Sequence, residues 1–102
     1  MIWCFMRVIS RKALRDFWRR HRDSEQQLRA WFAEAGKTDW KTPSDIKKRY
    51  GHASIIGDNR VVFNICGNKY RLIVKINYDY SIVYIRFVGT HREYDNINAE
   101  KI

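Results

Sequence analysis

Two arginines, Arg71 and Arg86, together with His91 and Tyr94 just beyond them, supply the side chains with which this sequence could do chemistry. A guanidinium presents paired donors that match the oxygens of a phosphate. His91 has the side-chain type that exchanges a proton near neutral pH, and Tyr94 can donate a proton or stack on a base. Asn64, Lys69 and Lys75 lie in the same stretch, and Lys47, Lys48 and Arg49 form a compact basic cluster upstream. Cleavage of an RNA phosphodiester by its own 2′-hydroxyl needs a base for that hydroxyl, cations for the charge developing on phosphorus, and an acid for the leaving 5′-oxygen. These residues are of the right kinds. Each also has a plainer reading: arginines splayed to solvent or paired with acids, a surface histidine beside a helix cap, a tyrosine packed on the last turn.

Other chemistries find less support. There are no paired carboxylates, no phosphate-cradling glycine loop and no Ser/His/Asp constellation. His21, His52 and His91 lack ligand spacing, and Cys4 and Cys66 form no Cys-x-x-Cys motif, so neither metal nor cofactor is expected. The cysteines read as reduced thiols of a cytoplasmic protein.

The elements that must position these residues are strands. Three runs rich in β-branched and aromatic residues occupy 60–66, 69–77 and 80–88, broken by Gly67-Asn68 and by Tyr78-Asp79. A two-residue loop at Gly67-Asn68, which supplies positive φ, places Cys66 opposite Lys69. It then pairs Ile65 with Tyr70, Asn64 with Arg71, Phe63 with Leu72, Val62 with Ile73 and Val61 with Val74. Alternation puts Val61, Phe63, Ile65, Tyr70, Leu72 and Val74 on one side and Arg60, Asn64, Lys69, Arg71 and Lys75 on the other. The same count about Tyr78-Asp79 pairs Val74 with Val83, Leu72 with Ile85 and Tyr70 with Phe87, and sets Arg71 opposite Arg86. Like charges facing each other destabilise a sheet unless an anion bridges them, so this register predicts a phosphate cradle.

Ahead of the sheet, Met6 to Ile9 reads as the end of a first strand, with residues 1–5 a candidate extension. Ser10 can cap a helix whose stripe is Leu14, Phe17, Trp18 and His21; Ser24 with Gln27 predicts a capping box for a second helix ending at Gly36, with Leu28, Trp31, Phe32 and Ala35 on its apolar face. The first helix's basic outer face, with Arg11, Lys12, Arg15, Arg19, Arg20 and Arg22, is usually only solvated and could also bind RNA backbone or an acidic partner. Trp40 should anchor the next loop to the core. Thr42-Pro43 opens a short third helix closed at Gly51, with Ile46 and Tyr50 on one edge. Residues 54–56 are a weak strand turned back by Asp58-Asn59. Thr90 with Glu93 predicts a capped turn that carries His91 and Tyr94 on one face. Asn96 to Ile102 carries no strong signal. The expected architecture is α+β: one domain of 102 residues in which a helical hairpin packs on a twisted, mainly antiparallel sheet of four to five strands.

Composition agrees. Hydrophobic residues make up 45% and aromatics 15%, enough for a core. A net charge of +9 and a pI near 9.9 point to a polyanionic partner. No apolar run is long enough to span a bilayer, and no secretory signal is apparent. Three functional classes fit: an RNA-cleaving enzyme, a noncatalytic RNA-binding module using the basic sheet face, and an interaction protein that neutralises an acidic partner.

The order of elements, together with Phe63-Asn64, Gly67-Asn68-Lys69-Tyr70-Arg71-Leu72, Ile85-Arg86-Phe87 and Thr90-His91-Arg92-Glu93-Tyr94-Asp95, closely resembles the HigB-like toxins of bacterial type II toxin–antitoxin systems, within the wider RelE superfamily. The resemblance runs from Met6 to about Asn96. It implies a RelE-like fold and a metal-independent mRNA interferase that cleaves messenger RNA on the ribosome. It also implies a cognate antitoxin, often with a helix-turn-helix domain. Carried onto this chain, the family's phosphate-binding arginine matches Arg71, its basic or histidine position after the last strand matches His91, and Tyr94 stands where relatives keep an aromatic residue. Arg86 fits the basic face. Asn64, Lys69, Lys75, Lys47, Lys48 and Arg49 would then contact RNA or ribosomal backbone.

Overall fold

A computed structural model describes residues 6–102. The suggested extension at residues 1–5, including Cys4, lies outside them. The described elements run β1 (Arg7–Ile9), α1 (Arg11–Arg20), α2 (Glu25–Lys37), α3 (Pro43–Arg49), β2 (Ser54–Ile56), β3 (Arg60–Ile65), β4 (Tyr70–Asn77), β5 (Ile82–Thr90) and α4 (His91–Asp95). The strands form one five-stranded sheet in the order β1-β5-β4-β3-β2. β1 lies parallel to β5 and every other pairing is antiparallel, so the α+β expectation holds.

The helical hairpin covers one face. Leu14, Phe17, Trp18, Leu28, Trp31 and Ala35, the stripes of α1 and α2, are buried with Val61, Phe63, Ile65, Tyr70, Leu72, Val74, Ile76 and Val83 of the sheet. Each fully buried aliphatic side chain contributes about 1.5–3 kcal/mol through the area it removes from water. His21 stands at the stripe's margin, stacked on Phe17 with ring centroids 4.4 Å apart. Trp40 is 3% exposed and stacks on Phe63 at 6.2 Å, anchoring its loop as expected. α3 starts at Pro43 behind Thr42, whose backbone N–H donates to the Asp45 carboxylate at 3.2 Å.

The capping box expected at Ser24 does not form. Residues 22–24 make a 3₁₀ turn, in which the Ser24 hydroxyl donates to the His21 carbonyl at 2.6 Å. The Gln27 side chain instead accepts the backbone N–H of Cys66 at 2.7 Å. A tertiary donor on the next hairpin therefore takes the side chain that the local pattern assigned to the helix end. α2 also runs one residue past Gly36, to Lys37.

The β3–β4 register is the expected one, from Val61 opposite Val74 to Asn64 opposite Arg71 and Ile65 opposite Tyr70. Its turn differs in detail. The positive φ angles fall on Cys66 and Gly67, and residues 66–69 all lie in the turn, with the Lys69 N–H donating to the Cys66 carbonyl at 3.2 Å.

The β4–β5 register differs from expectation. Asn77 pairs with Ile82 and Val74 with Ile85; then a bulge intervenes, so that Ile73 pairs with Phe87, Leu72 with Val88 and Arg71 with Gly89. Arg71 does not face Arg86. Two causes act together. Tyr78-Asp79 is not a two-residue loop: the turn takes in residues 78–81, with the positive φ on Ser81 and the Asn77 side chain accepting the Tyr80 N–H at 3.0 Å. The bulge then leaves Arg86 unpaired and reverses the alternation beyond it, as a single inserted residue must. Ile85 and Val88 both pack against the core, whereas Phe87, opposite Ile73, takes the outer side that the simple count denied it.

Beneath that outer side lies a smaller apolar layer. Val62 and Ile73 are buried yet stand apart from the main core. The segment after α4 reaches this face: the Ile102 carbonyl accepts from Arg60 at 2.9 and 2.5 Å. Arg60, expected to be an exposed basic residue, is 5% exposed, and it also donates to Asp58 at 2.7 Å.

Candidate functional site

At the turn end of the outer face, the start of β4, the end of β5 and the start of α4 meet. The capping box expected at α4 is present: Glu93 N–H donates to the Thr90 hydroxyl at 3.1 Å, and Thr90 N–H to the Glu93 carboxylate at 2.9 Å. The bond from the Thr90 N–H, chiefly, holds the Glu93 carboxyl below its usual range. The helix is also tied to the hairpin, because His91 N–H donates to the Lys69 carbonyl at 3.1 Å. That bond holds α4 against the hairpin, with the Tyr94 ring beside Arg71.

Arg71 donates from Nη1 to the carbonyls of Asn68 at 3.0 Å and Tyr70 at 3.4 Å. Its guanidinium lies over the Tyr94 ring, 5.6 Å from the centroid. Among the described residues no Asp or Glu side chain pairs with it. Carbonyls and a ring face orient a cation without cancelling its charge, so Arg71 is pre-aimed and still free to meet an anion. Asn64, paired with Arg71 across the strands, is exposed and reaches the Asn68 side chain at 3.5 Å.

His91 is exposed, and its Nδ1 lies 3.0 Å from Asp95 Oδ2. In the tautomer whose Nδ1–H donates to that carboxylate, Nε2 carries the ring's lone pair. Sequence reasoning missed Asp95. The signal was present, since positions four apart on a helix are neighbours.

The remaining basic residues are placed elsewhere or already engaged. Arg86 is exposed on the same outer side as Arg71. It sits at the bulge in the middle of β5, in a shallow cleft with Asn59, Lys75, Asn77, Tyr78 and Tyr84, and its Nε reaches the Ile102 carbonyl at 3.4 Å. Lys75 pairs with Asp58 at 3.3 Å. Lys69 pairs with Asp23, which also accepts from the Tyr70 hydroxyl at 2.6 Å. These two donors lower the Asp23 carboxyl, and the Lys69 ammonium is raised in turn. Lys47 donates to the carbonyls of Gly51 at 2.8 Å and Ala53 at 2.7 Å. Arg49 is paired with Glu34 and lies 5.1 Å from the Tyr50 ring centroid; Lys48 is exposed. The structure thus assembles Arg71, His91, Tyr94 and Asn64 into one cluster, with Arg86 and Lys75 in a second.

The chain is 30% identical over 96 residues, 92% of its own length and 92% of theirs, to the mRNA interferase toxin HigB of Escherichia coli (strain K12) and to the proteins named mRNA interferase HigB in Escherichia coli O157:H7 and Shigella flexneri. Residues 24–97, from the 3₁₀ turn through α4, match a single family. The chain belongs to the HigB toxins, the RelE-like toxic component of a toxin–antitoxin system.

Proposed function

We propose that this toxin is an endoribonuclease that stops translation by cutting messenger RNA on the ribosome, with Arg71, His91 and Tyr94 as its reacting face. The observation that carries this reading is the state of Arg71: oriented by two carbonyls and the Tyr94 ring, with no described carboxylate neutralising it. The relatives' names supply the substrate, messenger RNA.

In this mechanism Arg71 holds the scissile phosphate and stabilises the charge that builds on it. His91, backed by Asp95, takes the 2′-hydroxyl proton at Nε2. The hydroxyl oxygen attacks phosphorus, the bond to the 5′-oxygen breaks, and a proton delivered to that oxygen completes the step. No metal is required, because the nucleophile belongs to the substrate. Tyr94 offers its ring to Arg71 and to a base. Arg86 and Lys75, in the cleft farther along the same side, together with Asn64, Lys69, Lys48 and the partly satisfied Lys47 and Arg49, guide RNA or ribosomal backbone toward the cluster. A cognate antitoxin with a helix-turn-helix domain silences the activity in the cytoplasm.

Purified toxin added to translating ribosomes should generate new mRNA 5′ ends, mapped by primer extension. Arg71→Ala should reduce their rate of appearance by about 100-fold or more, the usual cost of removing an aimed transition-state donor. Wild-type protein that leaves the message intact, or an Arg71→Ala variant that cuts equally well, overturns the assignment.

A further inference from the structure

The helix that carries His91 and Tyr94 has little of its own to hold it. α4 spans five residues and buries none of them, too short a run to persist without anchors. Its first turn is fixed by the Thr90–Glu93 capping box and by the His91 N–H on the Lys69 carbonyl. At its other end a cavity of about 500 Å³ lies between Ile56 of β2 and Tyr94, Asp95 and Ile97, so packing leaves that end loosely seated. Its anchor lies farther along the chain.

Residues 96–102 reach that anchor through closed turns. The N–H groups of Asn96 and Ile97 donate to the carbonyls of Glu93 and Tyr94, both at 3.2 Å, and those of Lys101 and Ile102 to the Asn98 carbonyl at 3.0 and 3.1 Å. On the outer face of the sheet Arg60 then grips the Ile102 main-chain oxygen, from Nε at 2.9 Å and from Nη2 at 2.5 Å, and Arg86 Nε reaches the same oxygen at 3.4 Å. Arg60 Nη1 donates in turn to Asp58 at 2.7 Å. An arginine only 5% exposed carries a desolvation cost that is offset only when its donors are met. Here each of its three nitrogens is met, by one carboxylate and one main-chain oxygen. The two-pronged grip needs a guanidinium, because an ammonium has no rigid fork.

We infer that Arg60 is a positioning residue for RNA cleavage: by clasping the Ile102 oxygen it fixes the far end of α4, and with it the Tyr94 ring over Arg71 and the imidazole of His91. The inference rests on the reading above, in which α4 bears part of the reacting face. Buried and with its donors engaged, Arg60 itself meets no substrate. The stretch from Thr90 to Ile102 is pinned at one end to the Lys69 carbonyl and at the other to β3. Released at the β3 end, α4 keeps its cap but pivots about Thr90, and the ring that lies 5.6 Å from the Arg71 guanidinium moves off it.

The test compares the full chain with Arg60→Met and with a variant carrying a short polyglycine insertion between Ile97 and Asn98. The insertion leaves Arg60 and its partners in place and slackens only the link to α4. Single-turnover mRNA cleavage on ribosomes, ribosome affinity and amide hydrogen exchange are measured for each. Either variant should lose about ten- to a hundredfold in cleavage rate, the cost of a misplaced reacting group, while affinity stays within about twofold of wild type. Exchange should quicken at Asn96 and Ile97 and stay at the wild-type rate in β3, β4 and β5. The two changes combined should cleave no more slowly than either alone, since both break one linkage. If Arg60→Met does not fold, the insertion decides the matter. Wild-type cleavage by the insertion variant, losses that multiply when the changes are combined, or a loss of affinity in place of rate overturns the inference while the toxin reading stands. A wild-type chain that leaves mRNA intact overturns that reading instead, and exchange at Asn96 and Ile97 then decides by itself whether Arg60 holds α4.

Discussion

Arg71 shows how much of an active side chain is set by its immediate partners. Its sequence neighbours made it an outward-facing arginine; the Asn68 and Tyr70 carbonyls and the Tyr94 ring give it one direction. The Tyr94 hydroxyl makes no hydrogen bond among the described residues, so the ring is the part of Tyr94 that acts on Arg71. Tyr94→Phe should therefore cleave mRNA within about threefold of wild type, whereas Tyr94→Ala should lose roughly three- to thirtyfold, the range expected for a cation over an aromatic face. Single-turnover cleavage rates of the two variants would measure this. A Phe variant as impaired as Ala would make the hydroxyl a participant instead. The His91–Asp95 pair was equally legible, being four apart on a capped helix, where the spacing read from the sequence joined His91 to Tyr94 instead.

Among the elements, β5 has the most consequential geometry. Its bulge separates Arg86 from Arg71 and brings Gly89 opposite Arg71, directly beneath Phe87. A Cβ at position 89 would lie 2.5 Å from Phe87 Cζ and 3.2 Å from Glu93 Oε1, so only glycine lets the Phe87 ring and the α4 capping box occupy this corner. Gly89→Ala should destabilise the protein by about 1–3 kcal/mol through overpacking, measured by urea denaturation. It should also lower cleavage by displacing α4, with His91 and Tyr94 on it. An alanine variant with wild-type stability would show that the Phe87 ring moves freely.

Over the whole molecule the balance of charge governs response to acid. Asp23 joins the β3–β4 turn to the connection between α1 and α2 by accepting from Lys69 and Tyr70, and Asp58 joins Lys75 and Arg60. Both carboxyls are held below their ordinary 3.8 by these donors, chiefly Lys69 for Asp23 and Arg60 for Asp58. A carboxyl whose folded pKa is depressed binds its proton more readily when unfolded. Its stabilisation is therefore complete above about pH 4–5 and is lost as pH falls through the folded value. Protonation also adds positive charge to a chain already at +9, increasing self-repulsion. The melting temperature should be level near pH 5 and fall steeply toward pH 3. Asp23→Asn should lower the plateau and flatten the fall; an unchanged slope would remove Asp23 from the acid response. The sequence by itself determined what depends on neighbours along the chain: the stripes of α1 and α2, the α4 cap, and a β3–β4 register in which a one-residue slip would bury arginine. Tertiary structure decided what depends on distant partners. Gln27 left its predicted cap for the Cys66 amide, Arg60 was buried by Ile102, and a bulge in β5 put Arg86 in a different cleft from Arg71. Periodicity reports only which face a side chain takes while the alternation is unbroken, and one inserted residue resets it.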